Sequence, residues 1–456
     1  MLAHALEHPR NALWVPMGAG KSVVTLSAID ILQLSGEDRR PALVLAPLRV
    51  AQHVWPDEVA KWDHLRHIEV QPILGTPAQR LKALHNDHAS AFTTNYENLE
   101  WLVDQFRGVP WPFGTLVLDE ATKLKSLRVS MQTSKTGKQF LTGQGSVRAK
   151  ALASVSDKFS RAIELTGTPS PNGLKDLWGQ LWFLDQGQRL GRTFEGFKGR
   201  WFQQSFDGYG LIPLPFAHDQ IMERCHDLCL SIELPPMPEP VVNVVRVDLP
   251  PKARVIYTEM EKRMFAEVQG HEVEAFGAAA RTMKCLQMAN GAVYVGEDNK
   301  EFVETHDAKL QALESIVNEA AGAPVLVAYH FKSDLARLKK AFPHGLDIAT
   351  SEGLRRAKKG EGTVWFGHPA SIGHGVDGLA EHCNIAAFFG HWWDLEQYLQ
   401  FVGRIGPVRQ LQTGRNKAVF LHFIVATDTV DEAVVARRDS KTEVQDALLD
   451  YMKRKR

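Results

Sequence analysis

WVPMGAGKSVVTLS, residues 14–27, joins three local patterns: an apolar run closed by Pro16, a glycine-rich turn, and a helical period that begins at Lys21. A strand, a glycine turn and a helix N-terminus form a cradle for phosphate. The backbone N–H groups of Gly18, Ala19 and Gly20 can converge on an anion, and the helix dipole adds positive potential. Lys21 would reach the β- and γ-phosphates of a nucleotide such as ATP, and Ser22 would offer a hydroxyl to Mg²⁺. The pattern G-x-x-x-x-G-K-[ST] is not met in full, because Val15 stands where its first glycine belongs.

Outward from that turn, strands alternate with helices. The apolar run PALVLAP (41–47) reads as a buried strand, VAQHVWPDEVAKW (50–62) as a helix, IEVQPIL (68–74) as a strand, and AFTTNYENLEWLV (91–103) as a strand passing into a helix near Thr94. GTLVLDEATKLKS (114–126) is a strand that ends in the adjacent acids Asp119 and Glu120. That alternation specifies a parallel α/β sheet, in which ligands bind at the carboxyl ends of strands. Two acids delivered there suit nucleotide hydrolysis: one holds Mg²⁺ and the other polarises the attacking water.

From Ala121 to Arg161 the residues Lys123, Lys125, Arg128, Lys135, Lys138, Arg148, Lys150, Lys158 and Arg161 face a single acid, Asp157, around a polar centre rich in Gly, Ser and Thr. This reads as a mobile basic loop suited to a phosphate backbone, or as a solvated surface insertion. Trp178, Trp182, Phe183, Phe194, Phe197, Trp201 and Phe202 then read as the core of a helical subdomain. LPPMPEP (234–240) is a stiff connector and marks the domain boundary. VVNVVRVDLP (241–250) alternates as a strand, while 251–269 and 272–290 carry helical periodicity. A second α/β series follows, with strands at 324–330, 346–350, 362–368 and 384–390, and it has no phosphate turn of its own.

At 456 residues the chain is long for one core. Its 53 basic and 53 acidic residues cancel, so a polyanion must be held by local patches. Four cysteines point to a reducing compartment, and Cys225 and Cys229 read as cysteines of a helical face, not half of a metal site. No apolar run spans a membrane and the first residues lack a signal-peptide core, so a soluble intracellular protein is expected.

In order, these blocks resemble helicase superfamily two, specifically the Swi/Snf-type DNA-dependent ATPases in the compact form of phages and prophages. MGAGKS looks like motif one, LVLAPLRVAQHVWPDEVAKW (43–62) like motif one-a, TTNYENL (93–99) like motif one-b, LVLDEATKLKS (116–126) like motif two, and LTGTPSPNGLKDLWGQLWFLD (165–185) like motif three. CLQMANGAVY (285–294), VLVAYHFKSDLARL (325–338), SIGHGVDGLAEHCN (371–384) and FFGHWWDLEQYLQFVGRIG (388–406) resemble the second-lobe motifs through motif six. The resemblance implies two RecA-like parallel-sheet lobes in tandem with helical insertions and ATP in the cleft between them. It also implies the cytoplasm, bacterial or of a phage-infected host. The expected domains are a first lobe over 1–234, a linker over 235–242 and a second lobe over 243–456.

By the same resemblance Asp119 joins Ser22 on the metal and Glu120 orients the water. Thr166, Gly167 and Thr168 couple hydrolysis to movement, with Gly373, Gly375 and Asp377 in motif five. Gln400 and Arg404 meet the γ-phosphate. Arg49, Thr94 and Asn95, with Lys123, Lys125 and Arg128 of the basic stretch, are the expected nucleic-acid contacts. The implied activity is ATP-driven movement on or remodelling of double-stranded DNA by a monomer. A strand-separating DNA or RNA helicase and an ATP-binding nucleic-acid clamp with weak turnover stand as alternatives, and single-stranded DNA or RNA as alternative tracks.

Three positions depart from the family pattern. Thr122 replaces the usual histidine of motif two. Pro407 takes the place of the second motif-six arginine, whose role passes to Arg409. No glutamine precedes Gln33, so either the start is truncated or adenine is read more loosely than the family does.

Overall fold

Apolar runs of four to seven residues, too short for helices and bounded by Pro, Gly or polar residues, become strands with both faces covered. The computed structural model describes residues 1–133, 139–204, 210–232, 237–263, 265–268, 271–274, 278–296, 300–373, 375–415 and 417–441. The chain divides into two units, Met1–Pro235 with Lys441–Arg456, and Pro236–Ser440.

The first unit contains β1 (Arg10–Trp14), β2 (Ala42–Ala46), β3 (Val70–Pro72), β4 (Ala91–Asn95), β5 (Thr115–Asp119), the hairpin β6 (Arg128–Thr133) and β7 (Gln139–Gln144), β8 (Arg161–Thr166), the short ladder β9 (Phe202–Gln204) and β10 (Leu211–Pro213), and β11 (Cys229–Leu230). Seven of these form one parallel sheet in the order β11-β1-β8-β5-β2-β4-β3. Alternation along each strand sends Ala12, Trp14, Leu43, Leu116 and Leu118 to one face and Leu13, Val15, Val44, Val117 and Ile163 to the other. Trp178, Trp182, Phe183, Phe197, Trp201 and Phe202 pack into the first of these cores, with Phe194 partly buried against it.

The second unit contains β12 (Val241–Val247), the hairpins β13 (Phe265–Val268) with β14 (His271–Glu274) and β15 (Ala292–Val295) with β16 (Glu301–Glu304), then β17 (Val325–Ala328), β18 (Leu346–Asp347), β19 (Val364–Gly367), β20 (Ile385–Phe388) and β21 (Phe420–Ala426). Its parallel sheet runs β12-β21-β20-β17-β19-β18. These two parallel sheets with their helices are the α/β arrangement of two RecA-like lobes that the sequence led us to expect. Among the described residues no helix is long and apolar enough to cross a membrane.

Several local expectations change. The described parts of the basic stretch after Asp119–Glu120 are not a loop: they form a turn at Ala121–Leu124, the antiparallel strands β6 and β7 and the helix Val147–Ala153. Lys135 and Lys138, residues 233–236 of the connector and the basic tail Lys453–Arg456 lie outside the described residues. The strand expected over 241–250 is present as β12, so the first strand of the second sheet starts within the span given to the linker. The helix expected over 251–269 ends at Arg263 and the one expected from 272 begins at Ala278, with the hairpin β13–β14 between them. Cys225 and Cys229 do not share a helical face: Cys225 ends the helix Ala217–Cys225 and Cys229 begins β11. Both are buried, which pushes both thiols far up.

Candidate nucleotide site

β8 lies between β1 and β5, so the turns leaving all three strands meet at one edge of the first sheet. Trp14 is in register with Thr166, and Asp119 with Leu165. The connection continues beyond the strands: Val15 N donates to Thr166 O at 3.0 Å, and Glu120 N donates to Leu165 O at 3.0 Å. Motifs one, two and three are therefore neighbours by strand order.

Gly18 (φ 83°) and Gly20 (φ 84°) take left-handed backbone that a side chain would strain, and Gly20 caps the helix Lys21–Leu34. Lys21 Nζ lies inside the turn and donates to the carbonyls of Val15 at 2.7 Å and Pro16 at 3.1 Å. Ser22, half-buried, follows on the first helical turn. Ala19 differs from expectation. Its amide donates to Pro16 O at 3.3 Å and closes the turn, so it does not face the cradle.

Asp119 accepts the indole N–H of Trp55 on Oδ2 at 2.8 Å. Burial raises its carboxyl above the usual range, against the opposing influence of that hydrogen bond and the Lys21 charge. Glu120 has φ 57°, a left-handed conformation costly for a residue with a side chain by about 1–3 kcal/mol, and such strain gathers at functional sites. Thr166 Oγ1 accepts the Thr168 amide at 3.0 Å, while a Cβ on Gly167 would lie 3.4 Å from Val15 O, so motif three packs directly on the phosphate turn. Thr122, the departure in motif two, is buried.

Among the described residues no group of three or more His, Cys, Asp or Glu could hold a metal. Asp119 and Ser22 fit a Mg²⁺ ion bound the way this ion is usually held beside phosphates, through one or two protein oxygens with the rest from water and phosphate. A divalent cation beside the buried Asp119 would favour its ionised form.

The expected nucleic-acid contacts separate into two kinds. Arg49 and Lys123 are half-buried at strand-end turns of the first sheet. Thr94, by contrast, is fully buried with its hydroxyl on Ile73 O at 2.9 Å, and Asn95 donates to Glu97 Oε2 at 2.8 Å, so these two brace the turn beneath its surface. Lys125 lies 4.0 Å from Asp176. Arg128 stacks on Phe194 at 3.8 Å and donates to Lys125 O and Leu127 O at 2.8 and 2.6 Å. Its charge is anchored at the base of the hairpin.

In the second unit, Gly373, Gly375 and Asp377 follow the short helix Pro369–Ile372. A Cβ on Gly373 would come within 2.8 Å of Pro369 O and 2.9 Å of Gln400 Oε1. Gln400 is 1% exposed, on the helix Leu395–Gly403. Arg404 donates to Val376 O at 2.9 Å, to Asp377 Oδ1 at 3.3 Å and to Gly373 O. Pro407 occupies the first turn of a new helix, Pro407–Gln412, where its missing N–H costs nothing. That helix carries Arg409 to the same Asp377 oxygen at 2.8 Å.

Sequence reasoning did not single out Trp55, Tyr96 or Glu164. Tyr96 donates its hydroxyl to Asp119 O at 2.8 Å. Glu164, in the middle of β8, is fully buried and its carboxyl is pushed up to about 8 by burial. A lone acid inside the apolar run RAIELT was the available signal for it.

Residues 13–292 match the family model of the SNF2-related domain. The chain is 51% identical to protein p41 of Acyrthosiphon pisum secondary endosymbiont phage 1, over 100% of this chain and 97% of that one. It is 22% identical to nuclear protein STH1/NPS1 of Saccharomyces cerevisiae over 96% of its own length, but spans only 33% of that protein. Among solved structures, the SWI2/SNF2 ATPase core of Sulfolobus solfataricus in complex with dsDNA aligns with 97% of this chain and 89% of its own, at 18% identity and a TM-score of 0.41.

Proposed function

We propose that this chain, which belongs to the SNF2-related domain family, is an ATP-dependent motor on double-stranded DNA that hydrolyses ATP to move along or remodel its track. The observation that carries the reading is the strand order β1-β8-β5, which gathers Lys21, Asp119, Glu120 and Thr166–Thr168 at one sheet edge. Family membership supports it independently.

In this reading Lys21 exchanges its loop carbonyls for the β- and γ-phosphates, and the Gly18–Gly20 turn with the helix N-terminus carries their remaining charge. Asp119 and Ser22 would hold Mg²⁺, which when bound supplies positive charge for the phosphates. Glu120, on its strained backbone, orients the attacking water and takes up its proton. Thr166 and Thr168 respond to loss of the γ-phosphate because motif three rests on the turn that holds it. Arg404 and Arg409 take the γ-phosphate role that the motif-six resemblance gives them, and turnover depends on their positive charge. The DNA track is gripped by phosphate contacts around Arg49 and Lys123 without reading sequence.

The test is phosphate release from ATP with and without duplex DNA, single-stranded DNA and RNA, beside Lys21→Ala. Stimulation by duplex DNA that vanishes in the variant supports the motor. ATP binding without turnover on any nucleic acid would overturn it and favour the clamp reading, which the capture of both Arg404 and Arg409 by Asp377 motivates.

A further inference from the structure

Asp119 is held from two sides by buried side chains distant in sequence. Trp55, fully buried at the start of the helix Trp55–Lys61, reaches its Oδ2 across 64 residues. Tyr96, 1% exposed in the turn after β4, reaches its backbone carbonyl across 23. The two come from different segments: Trp55 from the one that carries the partly exposed Arg49, Tyr96 from the buried turn that braces it. Trp55 follows Arg49 and the π-helical turn Val50–Val54, a rare form that tends to mark functional positions. Tyr96 directly follows Thr94 and Asn95. The segments are also tied to each other, since Thr93 Oγ1 donates to Ala51 O at 2.6 Å.

An aspartate carboxylate rotates broadly about its last bond unless a neighbour fixes it. The indole N–H is a donor only and carries no charge, so it fixes Oδ2 without competing with a cation for the site. Oδ1 then remains for a metal ion or its water. The Tyr96 hydroxyl fixes the strand end from which the carboxylate projects. Outer contacts of this kind set the orientation of a ligand and strongly influence metal affinity.

We infer that Trp55 and Tyr96 are positioning residues for Asp119, through which the Arg49-bearing segment, braced by the turn after β4, sets the orientation of the metal-binding carboxylate. The inference rests on the ATPase reading above for the identity of the metal site. It goes further in naming the path by which nucleic acid would act on that site.

The experiment titrates Mg²⁺ against binding of a fluorescent ATP analogue, with and without duplex DNA, and follows phosphate release in parallel. It compares the wild type with Trp55→Phe, Tyr96→Phe and the control Trp62→Phe. Trp62 is an exposed indole at the end of the same helix, bonded to Glu58. In Trp55→Phe the half-saturating Mg²⁺ concentration should rise about tenfold. Tyr96→Phe should show a smaller rise. Both should lose much of the stimulation by DNA while DNA affinity and Mg²⁺-free nucleotide binding stay at wild-type values, and Trp62→Phe should match the wild type.

Wild-type Mg²⁺ dependence in both variants would overturn the inference, as would an equal shift in Trp62→Phe. If Trp55→Phe fails to fold, Tyr96→Phe, which removes one oxygen atom, decides alone. A wild type that binds Mg²⁺-nucleotide but ignores nucleic acid would overturn both the motor reading and the proposed path.

Discussion

Arg409 donates to Asp377 Oδ1 at 2.8 Å, and the same oxygen takes Arg404 at 3.3 Å. One carboxylate therefore restrains both arginines assigned to the γ-phosphate, yet the two differ in setting. The Arg404 side chain is 6% exposed and spans several acceptors, whereas that of Arg409 is 25% exposed. Arg404→Ala should destabilise the second unit by about 2–3 kcal/mol, because buried carbonyls lose their donor. Arg409→Ala should leave the melting temperature unchanged and lower DNA-stimulated turnover by about 10³-fold. Thermal melts beside phosphate release separate the two effects. Equal loss of stability in both variants would show that Arg409 is structural.

Glu164 should give the first unit a pH-dependent stability. Its folded carboxyl titrates at about 8, above the unfolded 4.5. Below 4.5 both states hold the proton, so the group adds no slope. Between 4.5 and about 8 only the folded state holds it, and stability falls as pH rises, by up to about 1.4 kcal/mol per pH unit. Above 8 the slope vanishes. Glu164→Gln should abolish this decline, and at pH 9 it should be the more stable protein. Urea denaturation across that range measures it. A decline retained in the variant would assign the effect to other groups.

Lys309 and Asp431 form a fully buried ion pair at 2.6 Å. Lys309 also donates to Asn290 Oδ1 at 2.8 Å and Phe389 O at 3.2 Å, and Asp431 accepts the Ala426 amide at 3.0 Å. The pair joins the helices Ala278–Asn290 and Ala308–Glu319 to the ends of β20 and β21. Lys309→Met leaves a buried carboxylate alone and should cost the second unit about 3–5 kcal/mol. Lys309→Met with Asp431→Leu should recover much of that loss. Denaturation midpoints of the single and double variants check it, and additive losses would contradict it.

How much was legible in the sequence follows from the range of each interaction. The turn at Lys21 and the acids at the end of β5 were legible because strand, turn and helix are contiguous and an apolar run ending in charge is a local pattern. Both parallel sheets followed from the alternation of such runs. The hairpin β6–β7 was missed because residues 130–146 are polar and rich in Gly, Ser and Thr, with too little apolar alternation to announce a two-stranded ribbon. β21 was passed over although it lies inside the second sheet, between β12 and β20. Trp55 and Tyr96 stood inside quoted motifs, but their shared partner lies at long range, and only the strand order β5-β2-β4 brings them to Asp119. Thr94 was misjudged for the same reason. Its neighbour Ile73 belongs to another segment.

The most direct test of the motor reading is ATP-driven displacement of a third strand from triplex DNA, since a moving protein must clear it without separating the duplex beneath. Release of the third strand with ATP, absent in Lys21→Ala and with a non-hydrolysable analogue, and with the duplex left paired, is the expected result. Duplex-stimulated hydrolysis with the third strand left in place would contradict movement along DNA.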